Sequence, residues 1–450
     1  MTLTRRQFVA GGTLAGALAV LTGCSGPGAA TGDTITIWNN LDSAAQADYY
    51  RKHFVEAYTK HPVQFSLKAS NTIDRLIQTA LAAGGGPSVI VSPGPSSFVS
   101  AYDSAGYLVD LSPYADRYGW PDTFAGWALD ASKIDGRLMT LPTSYESMAF
   151  YVNPATLDEL GLTIPRTLEE FEHFCSEAAG RGKVPIAAGN ADYKGANEWH
   201  VGVGLNHAAG PEAMYAVLTG AAQWTDAVFV DAVDRLAGWF KQGWFGGSVD
   251  RYFTNTFPTI YRQLASGEAA SMISGTWEFA NLGDYFGKAA GNDADWAWST
   301  IPSLGAGVPE VVWDLAIGQS AGVNSNTGDV DAAVDFLNFL TTDVARIVKG
   351  VEQISFAPPP IHIARKDFGS GADPRIVDLY DQLSTARTIG YTTWTFFPQQ
   401  TETYMINYWE KVITGSLSAQ DYCKGIRDRF TAERQQGRVP TAPKPGGRSS

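Results

Sequence analysis

The chain has 450 residues, with 33 basic against 46 acidic side chains, a formal net charge of −13 and only three cysteines. That acidic balance excludes the electrostatic footprint of a nucleic-acid binder and argues mildly against an anionic ligand. Ordinary apolar content, with 13 tryptophans, 19 tyrosines and 22 phenylalanines, supplies enough material for more than one core.

In chain order, the first element is Thr4-Arg5-Arg6-Gln7-Phe8 followed by an apolar, small-residue run from Val9 to Leu21. A bilayer-spanning helix needs about 20 apolar residues, so this shorter, glycine-rich run reads as an export signal over residues 1–23. Arg5-Arg6 resembles the twin-arginine variant, although general secretory signals also begin with basic residues. Leu21-Thr22-Gly23-Cys24 resembles the bacterial lipobox, which makes Cys24 the expected lipidated N-terminus after cleavage. Ser25 to Gly32 is a Gly/Ser/Ala/Pro stretch that cannot build a core, so residues 24–32 read as a flexible tether. Cleavage removes two arginines and no acid, leaving the exported chain more acidic still. No later stretch approaches 18 uninterrupted apolar residues, so the exported chain is expected to be anchored rather than membrane-spanning. Cys175 and Cys423 have no spacing that predicts a disulfide.

The roughly 425 residues after the cut exceed what one core usually serves, which predicts two domains. Thr34-Ile35-Thr36-Ile37-Trp38 is a β-branched run typical of a buried strand. Ser43-Ala44-Ala45-Gln46 fits a capping box, and Ala47, Tyr50, Phe54 and Ala57 recur at helical spacing after it. Pro62 closes that helix, and Val63–Leu67 alternates as a second strand. Leu76, Ile77, Ala80 and Leu81 predict a helix over 72–83 that Gly84-Gly85-Gly86 ends. Val89-Ile90-Val91 is a third strand. Strands alternating with helices imply a parallel sheet with crossover helices, and ligands of such sheets bind beyond the strand C-termini. Asn39, Asn40 and Asp42 stand there. Further on, Thr167-Leu168-Glu169-Glu170 is another capping box, 227–240 and 332–340 are helical, and Ser418 caps a helix carrying Tyr422, Ile426 and Phe430. Residues 438–450, rich in Pro, Gly, Arg and Ser, predict a disordered tail. The fold class is α/β.

Several segments in order resemble the solute-binding proteins of ATP-binding-cassette sugar importers, the family that includes maltose-binding protein. They are the first strand with Asp42 after it, Gly84–Val91, Ala105–Leu111, Asp135–Pro142 with Tyr145-Glu146-Ser147, Leu264–Trp277 and Ala332–Leu340. The resemblance runs from about Thr34 to Phe430. This chain departs from the family in Pro87-Ser88-Val89, in Val152-Asn153-Pro154, and in the Ser92–Ser97 loop, which lacks the acidic residue of maltose-binding protein. The resemblance implies a type II periplasmic-binding-protein-like fold with a hinge crossed more than once. Lobe 1 would hold 33–144 plus 314–356, and lobe 2 would hold 145–313 plus 357–437. It further implies a monomeric binding protein that captures a carbohydrate between the lobes, closes by hinge bending, and delivers it to the permease of an importer outside the cytoplasm, at the cell membrane.

A neutral sugar presents hydroxyls that want carboxylates, amides and indole N–H groups, and C–H faces that want flat aromatic rings. Acid–aromatic pairs near strand ends and crossings are therefore the candidates. The expected ligand-binding residues are Asn40, Asp42, Tyr145, Glu146, Trp199, Trp277, Glu278, Trp313, Asp314 and Trp394. Trp120, Trp127, Trp239 and Trp244 sit away from the crossings and read as packing residues. The rival reading is a secreted glycoside hydrolase using Glu146, Glu278 and Asp314, since such enzymes need two carboxylates about 5–10 Å apart. The six histidines show no paired metal spacing, and there is no nucleophile elbow and no P-loop, so no metal, cofactor or catalytic residue is expected.

Overall fold

The computed structural model describes residues 34–41, 44–69, 72–94 and 97–446. The expected signal peptide, the tether, Cys24 and Asp42 lie outside the described residues, as do residues 447–450.

The β-branched run forms β1 (Ile35–Asn39) in the middle of three parallel strands, with β2 (Val63–Leu67) on one side and β3 (Val89–Pro93) on the other. The helix after β2 spans Ile73–Ala82 and ends as its glycines require. Gly84 adopts φ +77°, where a Cβ is penalised, and the amides of Gly84 and Gly85 close on the carbonyls of Leu81 and Ala80. Strand periodicity sorts side chains onto two faces. Ile35, Ile37, Val89 and Val91 join one core with Phe54, Trp120, Phe336 and Ile347. Ile90 joins a smaller one with Ile73, Ile77, Leu81, Val99, Tyr102 and Met139. The Ala44–Tyr50 helix continues as a single π-turn, Arg51–Val55, so the expected run of one helix holds apart from that local widening.

A hairpin of β4 (Lys133–Ile134) and β5 (Arg137–Leu138) precedes β6 (Leu141–Glu146). Ser147 alone separates β6 from β7 (Met148–Val152), which belongs to a second sheet ordered β10-β7-β9-β8, with β8 Val184–Ala187, β9 Ala269–Gly275 and β10 Ala297–Ser299. The chain returns through β11 (Trp313–Val323). The first residues of that 11-residue strand pair in parallel with β12 (Ile389–Tyr391), and its last pair antiparallel with β3. A third passage follows the Val344–Ile354 helix, where the Tyr145 and Ala125 amides donate to the Pro358 and Pro360 carbonyls, each at 2.8 Å. The result is two lobes joined by three neighbouring strands of chain.

The second lobe has one extended core, from Phe150, Phe171 and Trp239 to Trp409, Tyr422 and Phe430. Its helices start where their caps dictate. Thr167 accepts the Glu170 amide and Ser418 the Asp421 amide, whereas the Glu170 carboxylate reaches the amide of Arg166, one residue earlier than a capping box requires. The four tryptophans read as packing residues, Trp120, Trp127, Trp239 and Trp244, are all buried. Residues 438–446, expected as part of a disordered tail, lie against this lobe, and the Tyr391 hydroxyl donates to the Pro443 carbonyl at 2.6 Å. No helix among the described residues is long and apolar enough to cross a membrane.

Cys175 and Cys423 are free and buried, and burial pushes both thiols up, that of Cys423 to about 12. A thiol reagent is expected to leave both untouched in the native protein and to modify both once denaturant is added, as read by mass spectrometry of digested peptides.

Candidate functional site

Three half-buried indoles stand together on the second lobe. The Trp199 and Trp277 ring centroids are 4.8 Å apart, and Trp277 and Trp394 are 6.2 Å apart at 66°. Tyr193, 49% exposed, and Phe257 extend the wall at 5.4 and 6.1 Å from Trp199. Each residue arrives from a different element. Trp199 is on the Ala196–Gly204 helix, Trp277 follows β9, and Trp394 is on the short turn of helix after β12. Five large aromatics left partly open to solvent on one face cost burial that a core would recover, and such a face is what a sugar ring's C–H surface requires.

The first lobe meets this wall at Gly94, at the end of β3. A Cβ there would stand 2.3 Å from the Trp394 carbonyl oxygen, so only glycine allows the approach. Both sides are tied to β11. The Gly94 amide donates to the Gly318 carbonyl at 3.0 Å, and the Ile317 amide donates to the Thr395 hydroxyl at 3.0 Å. Glu146 lies at the same point: a Cβ on Gly318 would be 2.2 Å from its Oε1. Asn40 is held on the first-lobe side by the Gln319 amide group, which donates to its carbonyl and its Oδ1 at 3.3 Å each. The structure therefore brings Asn40, Glu146, Trp199, Trp277 and Trp394 to the junction of the lobes.

The other expected residues lie elsewhere. Tyr145 is adjacent to Glu146 in an extended strand, so it points to the opposite face. It lines a cavity of about 300 Å³ behind the crossings, with Trp127, Leu315 and Ile361. Glu278 is fully buried, and its carboxylate accepts from Ser274 Oγ at 2.6 Å, Trp277 Nε1 at 3.1 Å and Asn281 Nδ2 at 3.1 Å. Burial raises its pKa against these donors. Its observed role is to hold the Trp277 indole in place. Asp314 is 1% exposed, with Oδ2 2.9 Å from Nε2 of the equally buried His207, and Trp313 packs against Trp298 in the core. A second cavity, of about 160 Å³, lies between Ser100 and Ser104 on one side and Gln399, Glu433 and Arg438 on the other. Neither cavity is lined by the indoles, so the candidate site rests on the chemistry of the junction rather than on enclosed volume.

Sequence reasoning missed a group of acids beside the wall. Glu198, next to Trp199, is 1% exposed, and burial pushes its carboxyl up to about 8. Burial and the charge of Glu198 hold Glu402 well above the usual range. From the first lobe, half-buried Asp74 is pushed up to about 6 by burial, and the Tyr193 hydroxyl is raised by burial and then by the charges of Glu198, Glu402 and Asp74. Asp74 stands in the first turn of the helix after β2, at the strand C-termini, so the rule that selected Asn40 and Asp42 could have found it. His200, one residue from Trp199, faces inward between Phe240 and Phe245, and burial pushes it down to about 3. Among the described residues, no group of three or more His, Cys, Asp or Glu could hold a metal ion.

The burial of Glu198 makes stability depend on pH. Its folded pKa lies above that of an unfolded carboxyl, about 4.3, so the folded state holds the extra proton between pH 4.3 and 8 and stability falls as pH rises through that window. Glu198→Gln keeps the shape without the ionisation. Its melting temperature is expected to exceed the parent's by about 4 °C at pH 8.5 and to match it below pH 4. A parent–variant difference independent of pH would refute the assignment.

Residues 39–347 match the family model for bacterial extracellular solute-binding proteins. A probable sugar-binding periplasmic protein of Mesorhizobium japonicum is 26% identical over 119 residues, which is 26% of this chain and 28% of that protein. The alpha-glucosides-binding periplasmic protein AglE of Rhizobium meliloti is 25% identical over 357 residues, 73% of this chain and 72% of that one. Among solved structures, a protein from a study of xylan utilisation by Caldanaerobius polysaccharolyticus superposes with a TM-score of 0.73 at 17% identity, over 88% of this chain and all of that one. At that identity the likeness establishes the fold, which is the two-lobed type II arrangement expected from the sequence.

Proposed function

This chain belongs to the family of bacterial extracellular solute-binding proteins, and from that premise we propose that it captures a carbohydrate at the junction of its two lobes for an importer of the ATP-binding-cassette class. The observation that carries the reading is the half-buried wall of Trp199, Trp277 and Trp394 facing the end of the first lobe's sheet. The sugars named for the relatives, α-glucosides in one case, agree with it. The sugar's C–H faces stack on the indoles, while Asn40 and Glu146 take hydroxyls from the opposite side. Binding energy realised only when both lobes touch the ligand shifts the population toward the closed form. A permease recognises that form. ATP is hydrolysed by a partner. Cys24, read as a lipidated N-terminus, would anchor a monomer outside the cytoplasm at the cell membrane, with the tether setting its reach.

The hydrolase alternative loses its residues to the fold. Glu278 and Asp314 are buried on partners within the chain, so Glu146 is left without either as its acid–base mate. One experiment tests both readings. The purified protein is screened by thermal shift against mono- and disaccharides and assayed against chromogenic glycosides. Stabilisation without turnover is expected. Turnover abolished by Glu146→Gln would overturn the binding-protein reading, and no response to any saccharide would overturn the carbohydrate.

A further inference from the structure

The carboxyl groups of Glu198 and Glu402, beside the indole wall, have no basic partner among the described residues. Glu198 is nine-tenths or more buried, and its Oε2 has no hydrogen-bond partner among the described residues. Glu402 faces it from the Gln399–Ile413 helix. Asp74 approaches from the first lobe, with no ion pair among the described residues. Tyr193 is within electrostatic reach of all three, and its ring packs at a tilt of 38° beside Trp199. The nearest lysine on this stretch, Lys194, is occupied by Glu410 at 2.9 Å.

Without a counter-cation, burial holds the Glu198 and Glu402 carboxyls toward their protonated forms, and a neutral hydroxyl brings no charge that would let these carboxyls ionise. A cation compensates them, and indole and phenol faces attract cations as well, Trp most strongly. We propose that the ligand is a sugar bearing a free amino group, with its ammonium seated among Asp74, Glu198 and Glu402 against the faces of Tyr193 and Trp199. This rests on the carbohydrate reading above and names the substrate class within it. Asp74 comes from one lobe and the two glutamates from the other, so the ammonium also links the lobes. The amine then contributes to closure as well as to affinity.

The test compares ligands that differ only at one carbon. Calorimetric Kd values are measured for glucosamine, N-acetylglucosamine and glucose, and for the corresponding α-1,4- and β-1,4-linked dimers, with the protein and its Glu198→Gln and Asp74→Asn variants. In at least one series the free amine is expected to bind about tenfold or more tightly than its hydroxyl counterpart. Each variant is expected to remove that preference while leaving the neutral sugar's Kd within about twofold. Glu198→Gln is expected to fold, since it removes a costly buried ionisation. Neutral or acetylated members binding as well as the amine in every series would overturn the amine and leave the carbohydrate reading standing. An amine preference untouched by both variants would overturn the assigned seat. No binding by any member would overturn both.

Discussion

Replacing Trp277 with alanine is expected to weaken sugar binding by about 30- to 700-fold, the equivalent of ~2–4 kcal/mol, while the protein stays folded. Trp277 is the central ring of the wall, in contact with Trp199 at 4.8 Å and Trp394 at 6.2 Å, so its loss removes a stacking face and also loosens both neighbours. The ring is fixed on two sides. Its Nε1 donates to Glu278, and its six-membered ring lies so close to Gly275 that a Cβ there would be 2.0 Å away. A platform held this way loses little conformational freedom on binding, which is why truncation should appear almost wholly in affinity. Glu278 keeps Ser274 and Asn281 as donors in the variant, so the melting temperature should fall by only a few degrees. Trp277→Phe retains a flat face without the N–H and should recover most of the loss. The measurement is calorimetric Kd with circular dichroism as the folding control, and a Kd within twofold of the parent would remove the indole wall from the site.

The fold was legible because its signals are local. The β-branched runs Ile35–Trp38 and Val89–Val91, the glycines after Leu81 and the caps at Thr167 and Ser418 each act within a few residues, and the structure uses each one. The site was legible only in part, for a physical reason. An acid beside an aromatic looks the same in sequence whether it faces ligand or braces its neighbour. Glu146 and Glu278 both follow an aromatic residue, yet one lies at the junction beside Gly318 and the other is buried under Trp277. In β6 the period of two sends Tyr145 and Glu146 to opposite faces, so the pair could not act together. Asp74, Glu198 and Glu402 are separated by more than 300 residues from first to last. Only the fold brings the charges of all three to bear on Tyr193.

Gly94→Ala is expected to weaken binding by about 5- to 150-fold without touching any group that contacts the sugar. The new methyl group would stand 2.3 Å from the Trp394 carbonyl oxygen, a backbone atom that cannot swing aside as a side chain would. Neither partner is free to retreat. The Gly94 amide is bonded to Gly318, and its carbonyl accepts from Ser320 Oγ at 2.9 Å. On the other side, the Thr392 hydroxyl donates to the Leu315 carbonyl at 2.8 Å, and Thr395 accepts from Ile317. Both ends of the contact are thus fastened to one strand, β11, and the added volume must move either the end of β3 or the turn that carries Trp394. Overpacking of this kind costs about 1–3 kcal/mol, and each 1.4 kcal/mol is tenfold in affinity. Because the strain falls on the arrangement that brings the lobes together, it should appear as a loss of closure, a smaller ligand-induced contraction in small-angle scattering alongside the weaker Kd. Gly318→Ala is the control. Its methyl group meets only the movable end of Glu146, so a milder effect is expected there. If Gly94→Ala lowered the melting temperature but left Kd unchanged, the strain would be shared by the open and closed forms, and this contact would play no part in capture.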